Sequence, residues 1–195
     1  ELHDDIRDYD TLSSFVRHAQ PEIIFHLAAQ PIVRESYIDP LGTWSINVMG
    51  SLNLLESLRC LNGICAVVMI TTDKVYENRS WPHGDRESDI LGGHDPYSAS
   101  KAASELAISS WRSSYCGESE LHNLRIASAR AGNVIGGGDW SPHRIVPDVI
   151  SSIIESTTVK IRNPRSTRPW QHVLEPLSGY LMLANQLFEN TSSCT

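Results

Sequence analysis

The run Ala66-Val67-Val68-Met69-Ile70, followed at once by Thr71-Thr72-Asp73-Lys74, decides the fold. Five consecutive apolar residues read as a strand buried on both faces of a parallel sheet. Polar residues at the carboxyl end of such a strand face the crevice where open α/β sheets bind ligands. Further along stands Tyr97-Ser98-Ala99-Ser100-Lys101. A Tyr four residues before a Lys on a helix puts both side chains on one face. A neighbouring ammonium favours the phenolate, which lowers the Tyr pKa toward a range useful for a general base. Together the two segments point to proton and hydride chemistry on a hydroxyl.

Working outward, strands and helices alternate. Leu12, Phe15, Val16 and Ala19 predict a helix over 11–20, closed by Pro21. Residues 23–29 read as a short strand. Residues 42–60 read as a helix with Ile46, Met49, Leu52, Leu55 and Leu58 on or near one face. Residues 78–94, rich in Gly, Pro, Asp and Ser, read as a loop. Asp95-Pro96 is a helix start, with Asp as cap and Pro at the first helical position, and that helix runs to about Cys116. Residues 124–131 read as a third strand, Gly136-Gly137-Gly138 as a turn, 146–155 as a helix, 159–162 as a short strand and 175–188 as the last helix. Alternation of this kind predicts a doubly wound parallel sheet.

The 195 residues suffice for one domain with a real core, and 41% hydrophobic and 20% charged residues are ordinary for a globular protein. A net charge of -7 argues against nucleic acid as the main partner while leaving room for an anionic small ligand at a local cluster of Arg. The four cysteines form no CxxC pair and suit a reducing cytosol. No run reaches the roughly 18 apolar residues of a membrane span, and no signal peptide is visible. The eight His show no metal-binding spacing. His26 reads as a core or positioning residue, and Trp81, Trp111 and Trp140 read as packing residues.

A dinucleotide fold needs a Gly-rich turn after its first strand, so that backbone can approach a pyrophosphate at a helix N-terminus. No such turn opens a helix here. The chain enters polar sequence directly at Glu1, as though in the middle of something.

Several segments resemble the extended short-chain dehydrogenase/reductase family. They are Asp5-Ile6-Arg7-Asp8, His26-Leu27-Ala28-Ala29-Gln30-Pro31, Thr72-Asp73-Lys74-Val75-Tyr76, and Tyr97 with Lys101. Two longer runs, Arg130 to Trp140 and Arg165 to Val173, are more specific and resemble the sugar-nucleotide 4,6-dehydratases of that family in their CDP-sugar branch. The resemblance implies a Rossmann-like sheet, with a partial NAD-binding domain over 1–135 and part of a small substrate-binding region over 136–195. It also implies that the first strands and the Gly-rich turn, about 50–60 residues, lie before Glu1, and that the C-terminal part is cut short after Thr195.

The resemblance further implies NAD as cofactor, held by Asp5, Ile6, Ala28, Ala29, Gln30, Tyr97 and Lys101. Asp5 and Ile6 would sit beside the adenine, and the small Ala28 and Ala29 would let the cofactor approach. The substrate would be CDP-glucose, leaving as the 4-keto-6-deoxy sugar nucleotide. Tyr97 would take the 4-hydroxyl proton, Lys101 would lower the Tyr97 pKa and hold the ribose, Thr72 would bond the 4-oxygen, and Asp73 would protonate the departing 6-hydroxyl. Lys74 stands where related dTDP-glucose dehydratases carry a Glu that removes the C5 proton; a Lys serves as base only with a depressed pKa. Asn133, Arg144 and Arg168 are candidates for the sugar-phosphate side, where the Arg fork matches a diphosphate. The family further implies a homodimer, paired through helix 42–60 and the Tyr97 helix. Two other readings stay open: a nucleotide-sugar 4-epimerase, which needs the Tyr and Lys but not the Asp-Lys pair, and an inactive fragment.

Overall fold

The computed structural model describes residues 3–79, 81–116 and 124–189. Residues 190–195 of the expected C-terminal region lie outside them. The chain divides into two compact units, one formed by Glu1–Ala131 with Gly179–Thr195, the other by Gly132–Ser178.

The first unit is built on three parallel strands in the order β1 (Ile23–His26), β2 (Cys65–Ile70) and β3 (Leu124–Ala129). β2 is central, which is why its sequence is apolar at every position rather than at alternate ones. Cys65, Val67 and Met69 point to one face, where they meet Val16, Leu54, Leu55, Leu58, Ile108, Leu124 and Ile126. Ala66 and Val68 point to the other, against Ala184 and Leu187. Helices thus cover both faces, as a doubly wound sheet requires: α1 (Tyr9–Ala19), α4 (Gly50–Ser57) and α5 (Pro96–Tyr115) on one side, the later turns of α7 (Leu174–Glu189) on the other.

Local chemistry fixes the ends of these elements. Asp8 caps α1 by accepting from the Thr11 amide at 3.1 Å, and Gln20 closes it in the left-handed region (φ 44°) just before Pro21. Asp95 caps α5 through the Ser98 amide at 2.9 Å, with Pro96 at its first position. Arg125 on β3 donates to the last carbonyls of α7, Leu187 at 2.8 Å and Phe188 at 2.6 Å, satisfying groups that a helix end leaves orphaned.

The segment before α4 differs from the sequence expectation. α2 (Val33–Ile38) and α3 (Pro40–Trp44) precede it, and Ser45–Met49 forms a π-helical turn that leads into α4. The inward face here carries Thr43, Asn47, Gly50 and Ser51, while Met49 points outward and Ile46 is only half-buried. The reason is the partner: this helix lies against Ser100 and Ser104 of α5, so hydroxyls and an amide, not aliphatic side chains, fill the contact. Gly50 has no room for a side chain, since a Cβ would stand 2.6 Å from Ile6 Cγ2.

The second unit pairs two short parallel strands, β4 (Asn133–Ile135) with β5 (Trp170–His172), and carries α6 (Ile145–Ile154). Gly137-Gly138 is a turn, with Gly138 at φ +83°. The strand expected over 159–162 does not form; those residues are exposed coil. β-favouring residues there find no neighbouring strand, and pairing rather than propensity makes a strand. β1 and β3 also stop short of the expected residues 29 and 131.

Candidate active site

β2 ends at Ile70, and the chain turns at once into a short 3-10 helix over Asp73–Val75. Sheet-like pairing continues one step further, with the Thr71 amide on the Ala129 carbonyl at 2.9 Å and the Asp73 amide on the Ala131 carbonyl at 3.0 Å. Thr72 is buried, and its hydroxyl donates to Asp73 Oδ1 at 3.1 Å. Asp73 is half-buried and Lys74 exposed. The turn therefore presents hydroxyl, carboxylate and ammonium in increasing contact with solvent at the carboxyl end of the sheet.

α5 supplies the other half. Tyr97 and Lys101 are both buried on its inner face, with Ser104, Glu105 and Ile108 following at helical spacing. The two halves meet twice: Lys101 Nζ donates to the Ile70 carbonyl at 3.2 Å, and Lys74 Nζ lies 5.9 Å from the centre of the Tyr97 ring. Burial pulls the Lys101 pKa down to about 8, against an opposing pull from Glu105. An ammonium is a triple donor, so the bond to Ile70 leaves it further donors. Gly93 backs the first turn of α5; a Cβ there would come within 2.4 Å of the Ala99 amide nitrogen.

Behind this pair runs a buried polar chain that sequence reading missed. His26 Nε2 bonds the Ser51 hydroxyl at 2.9 Å, and Ser51 donates to the Asn47 carbonyl at 2.7 Å, which places the His26 proton on Nε2. Ser104 donates to the same carbonyl at 2.8 Å. The Asn47 amide donates to the Ser100 hydroxyl at 2.9 Å, and Ser100 donates to the Tyr97 carbonyl at 2.7 Å. Burial and the Lys101 charge hold His26 down at about 4, so it is neutral. The signal available in the sequence was Asn47 and Ser51 at four-residue spacing on one helix, matched by Ser100 and Ser104 at the same spacing on another.

The residues expected to meet a cofactor are placed unequally. Ala28 is exposed and Ala29 half-buried just beyond β1. Gln30 is engaged inward: its amide nitrogen donates to Thr43 Oγ1 at 2.8 Å, its side-chain oxygen accepts from the Ile32 amide, and its own backbone amide donates to Asn47 Oδ1 at 2.8 Å. It shapes the loop from behind. Asp5 is exposed and bound by Arg7, whose Nε lies 2.9 Å from Oδ1; those hydrogen bonds lower its pKa to about 2. Ile6 and Arg7 are tied to α4 by Asn53 Nδ2, 3.1 Å from each of their carbonyls.

The substrate-side candidates lie in the second unit. Asn133 begins β4, with its amide on the Pro169 carbonyl at 3.0 Å. Arg144 precedes α6 and pairs with Asp139 at 2.8 Å. Arg168 is exposed, with Nη1 on the Thr167 carbonyl at 2.7 Å. Of the three Trp residues read as packing, Trp111 meets the Tyr115 ring at a tilt, 5.6 Å between centres, whereas Trp81 and Trp140 are exposed.

A parallel sheet clothed on both faces, with a Tyr–Lys helix beside a strand-end Thr-Asp-Lys, defines a class. Residues 2–192 match the NAD dependent epimerase/dehydratase family, and the chain belongs to it. It is 52% identical over 186 residues to the CDP-glucose 4,6-dehydratase of Salmonella typhimurium, a match covering 94% of this chain and 52% of that protein. Among solved structures, the dTDP-glucose 4,6-dehydratase of Streptomyces venezuelae with NAD bound superposes with a TM-score of 0.81 at 27% identity, covering 94% of this chain and 54% of that one. The UDP-N-acetylglucosamine 4-epimerase of Methanobrevibacter ruminantium gives 0.78 at 28% identity, over 94% and 57%. The chain spans about half the length of these relatives.

Proposed function

We propose that the chain carries the catalytic centre of a nucleotide-sugar 4,6-dehydratase, a lyase converting CDP-glucose to CDP-4-keto-6-deoxyglucose. The observation that carries this reading is the contact between the two halves of the site: Lys101 on the Ile70 carbonyl and Lys74 beside the Tyr97 ring join the Tyr–Lys helix to the strand end that carries Thr72 and Asp73. The 52% identity to a CDP-glucose 4,6-dehydratase supports the choice of substrate.

The C5 proton of glucose is not acidic, so elimination of water across C5–C6 needs a ketone at C4 first. NAD, when bound, would supply a hydride acceptor that returns what it takes, leaving no net redox change. The residues present fit its nicotinamide-ribose end: short Ala28 and Ala29 beyond β1 leave room, and the buried Lys101 ammonium has donors to spare. Asp5 and Ile6 are assigned to its far end, and Gln30 to the shape of the loop beneath it. Tyr97 accepts the proton of the 4-hydroxyl, with Lys101 favouring its phenolate. Thr72 donates to the 4-oxygen. Asp73 delivers a proton to the departing 6-hydroxyl, and Lys74 stands at the C5 proton. Asn133, Arg144 and Arg168 are assigned to the sugar-phosphate side.

The competing 4-epimerase reading needs Tyr97 and Lys101 but no acid for a leaving hydroxyl. Asp73→Asn separates them: water loss from CDP-glucose should stop, whereas epimerisation should continue. A change in product without water loss in the unmodified protein would overturn the dehydratase reading.

We also assign a homodimer. Met49 in the 42–60 helix is 52% exposed and Leu106 on α5 is 64% exposed, so each of the two helices expected to pair presents an apolar side chain to solvent. Patches of this kind mark interfaces. Sedimentation should give a dimer and Leu106→Arg a monomer; a monomeric parent would contradict the assignment.

A further inference from the structure

Glu105 lies one turn beyond Lys101 on α5 and is 4% exposed. A carboxylate so far from water is tolerated only when its oxygens are filled. Here they are. Oε1 accepts from the Thr71 hydroxyl and from Arg130 Nε at 3.0 Å; Oε2 accepts from the Ser128 hydroxyl at 2.8 Å and from Arg130 Nη2 at 2.9 Å. Burial pushes the Glu105 carboxyl up, but the bonds from Arg130, Thr71 and Ser128 outweigh it and hold the group below its ordinary value. Arg130 in turn donates to the Tyr76 hydroxyl at 2.8 Å and the Glu87 carbonyl at 3.2 Å.

What this carboxylate joins is specific. Tyr97 and Lys101 come from its own helix. Thr71 immediately precedes Thr72. Ser128 lies near the end of β3 and Arg130 just beyond it, and Tyr76 and Glu87 flank the loop that returns to the start of α5. A buried ion pair adds little net stability over an apolar packing of the same volume, but its fork geometry fixes distances.

We propose that Glu105, clamped by Arg130, is a positioning residue: it holds the helix carrying Tyr97 and Lys101 in register with the strand end carrying Thr72, Asp73 and Lys74. The clamp also occupies Glu105, so that Lys101, one turn away, keeps its donors. Glu105 on α5 is the titratable group that acts on Lys101, and Lys101 in turn acts on the neutral His26 of β1; Lys74 lies beside the Tyr97 ring and Arg130 is paired to Glu105. The effect on rate rests on the dehydratase reading; the effect on geometry and on Lys101 does not.

The test compares Glu105→Gln, Glu105→Asp and Thr71→Val in the full chain, reading Lys101 by NMR titration of labelled lysine and turnover of CDP-glucose with added NAD. Glu105 raises the Lys101 pKa, so Glu105→Gln should move that titration downward by about one unit. It should cut kcat about 100-fold with KM changed less than about threefold, and Glu105→Asp should recover part of both. Thr71→Val keeps the ion pair; it should leave the Lys101 titration in place, shift the Tyr97 ring resonances and lower kcat about tenfold. Variants that fold with the Lys101 titration and kcat unchanged would overturn the proposal. So would a rate loss that only tracks the folded fraction. If Glu105→Gln does not fold, wild-type kcat in Thr71→Val overturns it. If the parent removes no water from CDP-glucose but the lysine titration and the Tyr97 ring shift as stated, the dehydratase reading fails and the positioning role stands.

Discussion

The two units of the chain are made differently. In the first, Thr72, Tyr97 and Lys101 are buried, and the side chains behind and beside them are tied down: His26 to Ser51, Asn47 to Ser100, Lys101 to the Ile70 carbonyl, Glu105 to Arg130. In the second, the groups assigned to substrate are at or near the surface, and Arg168 has its noted bond to the neighbouring Thr167 carbonyl. Core packing fixes the first set before any ligand arrives. The second set is held by short strands and turns, and is suited to adding affinity rather than rate.

That contrast can be broken hardest at Tyr97. Tyr97→Phe removes the phenolic oxygen and should cost about 1,000-fold in kcat with the melting temperature nearly unchanged; a loss below about tenfold would move the base elsewhere. In the same free protein, kcat/KM should fall on an alkaline limb near pH 8, where Lys101 loses its ammonium. Packing offers the next largest effect. Leu55 is fully buried in the first unit, so Leu55→Ala should destabilise by about 2–5 kcal/mol. Ile153, on the exposed side of α6, should cost no more than about 0.5 kcal/mol when changed to Ala. Denaturant titration compares them, and equal losses would erase the distinction between the units.

His26 gives a pH-dependent probe. Its pKa falls from an ordinary 6.5 to about 4 on folding. Between those values the unfolded chain takes up a proton that the folded chain refuses. The stability is therefore complete above about pH 6.5 and is lost as pH falls toward 4, on the order of 3 kcal/mol. His26→Gln should flatten that part of the stability curve; an unchanged slope would place the acid sensitivity on other groups. The smallest effect is expected in the second unit, where Arg168→Ala should raise KM for the nucleotide sugar about tenfold with kcat little altered.

Legibility in the sequence follows the same division. The buried strand read over Ala66–Ile70, the Asp95-Pro96 start of α5 and the shared face of Tyr97 and Lys101 are local patterns, and all appear, the strand with Cys65 added at its start. The inward polar face at Asn47 was misread because apolar periodicity assumes an apolar neighbour, and α5 offers serines there instead. β4 and β5 were missed because each has three residues and exists only through a partner about 37 positions away. Glu105 drew no reading from the sequence, because its burial depends on Arg130 and Thr71, distant in the chain, meeting it in the fold.

The most direct test of the account is mass analysis of CDP-glucose after incubation with the full chain and NAD, run beside Asp73→Asn. The account predicts a nucleotide sugar lighter by one water from the unmodified chain and none from the variant. Water loss that survives Asp73→Asn, or no water loss from the unmodified chain, would contradict it.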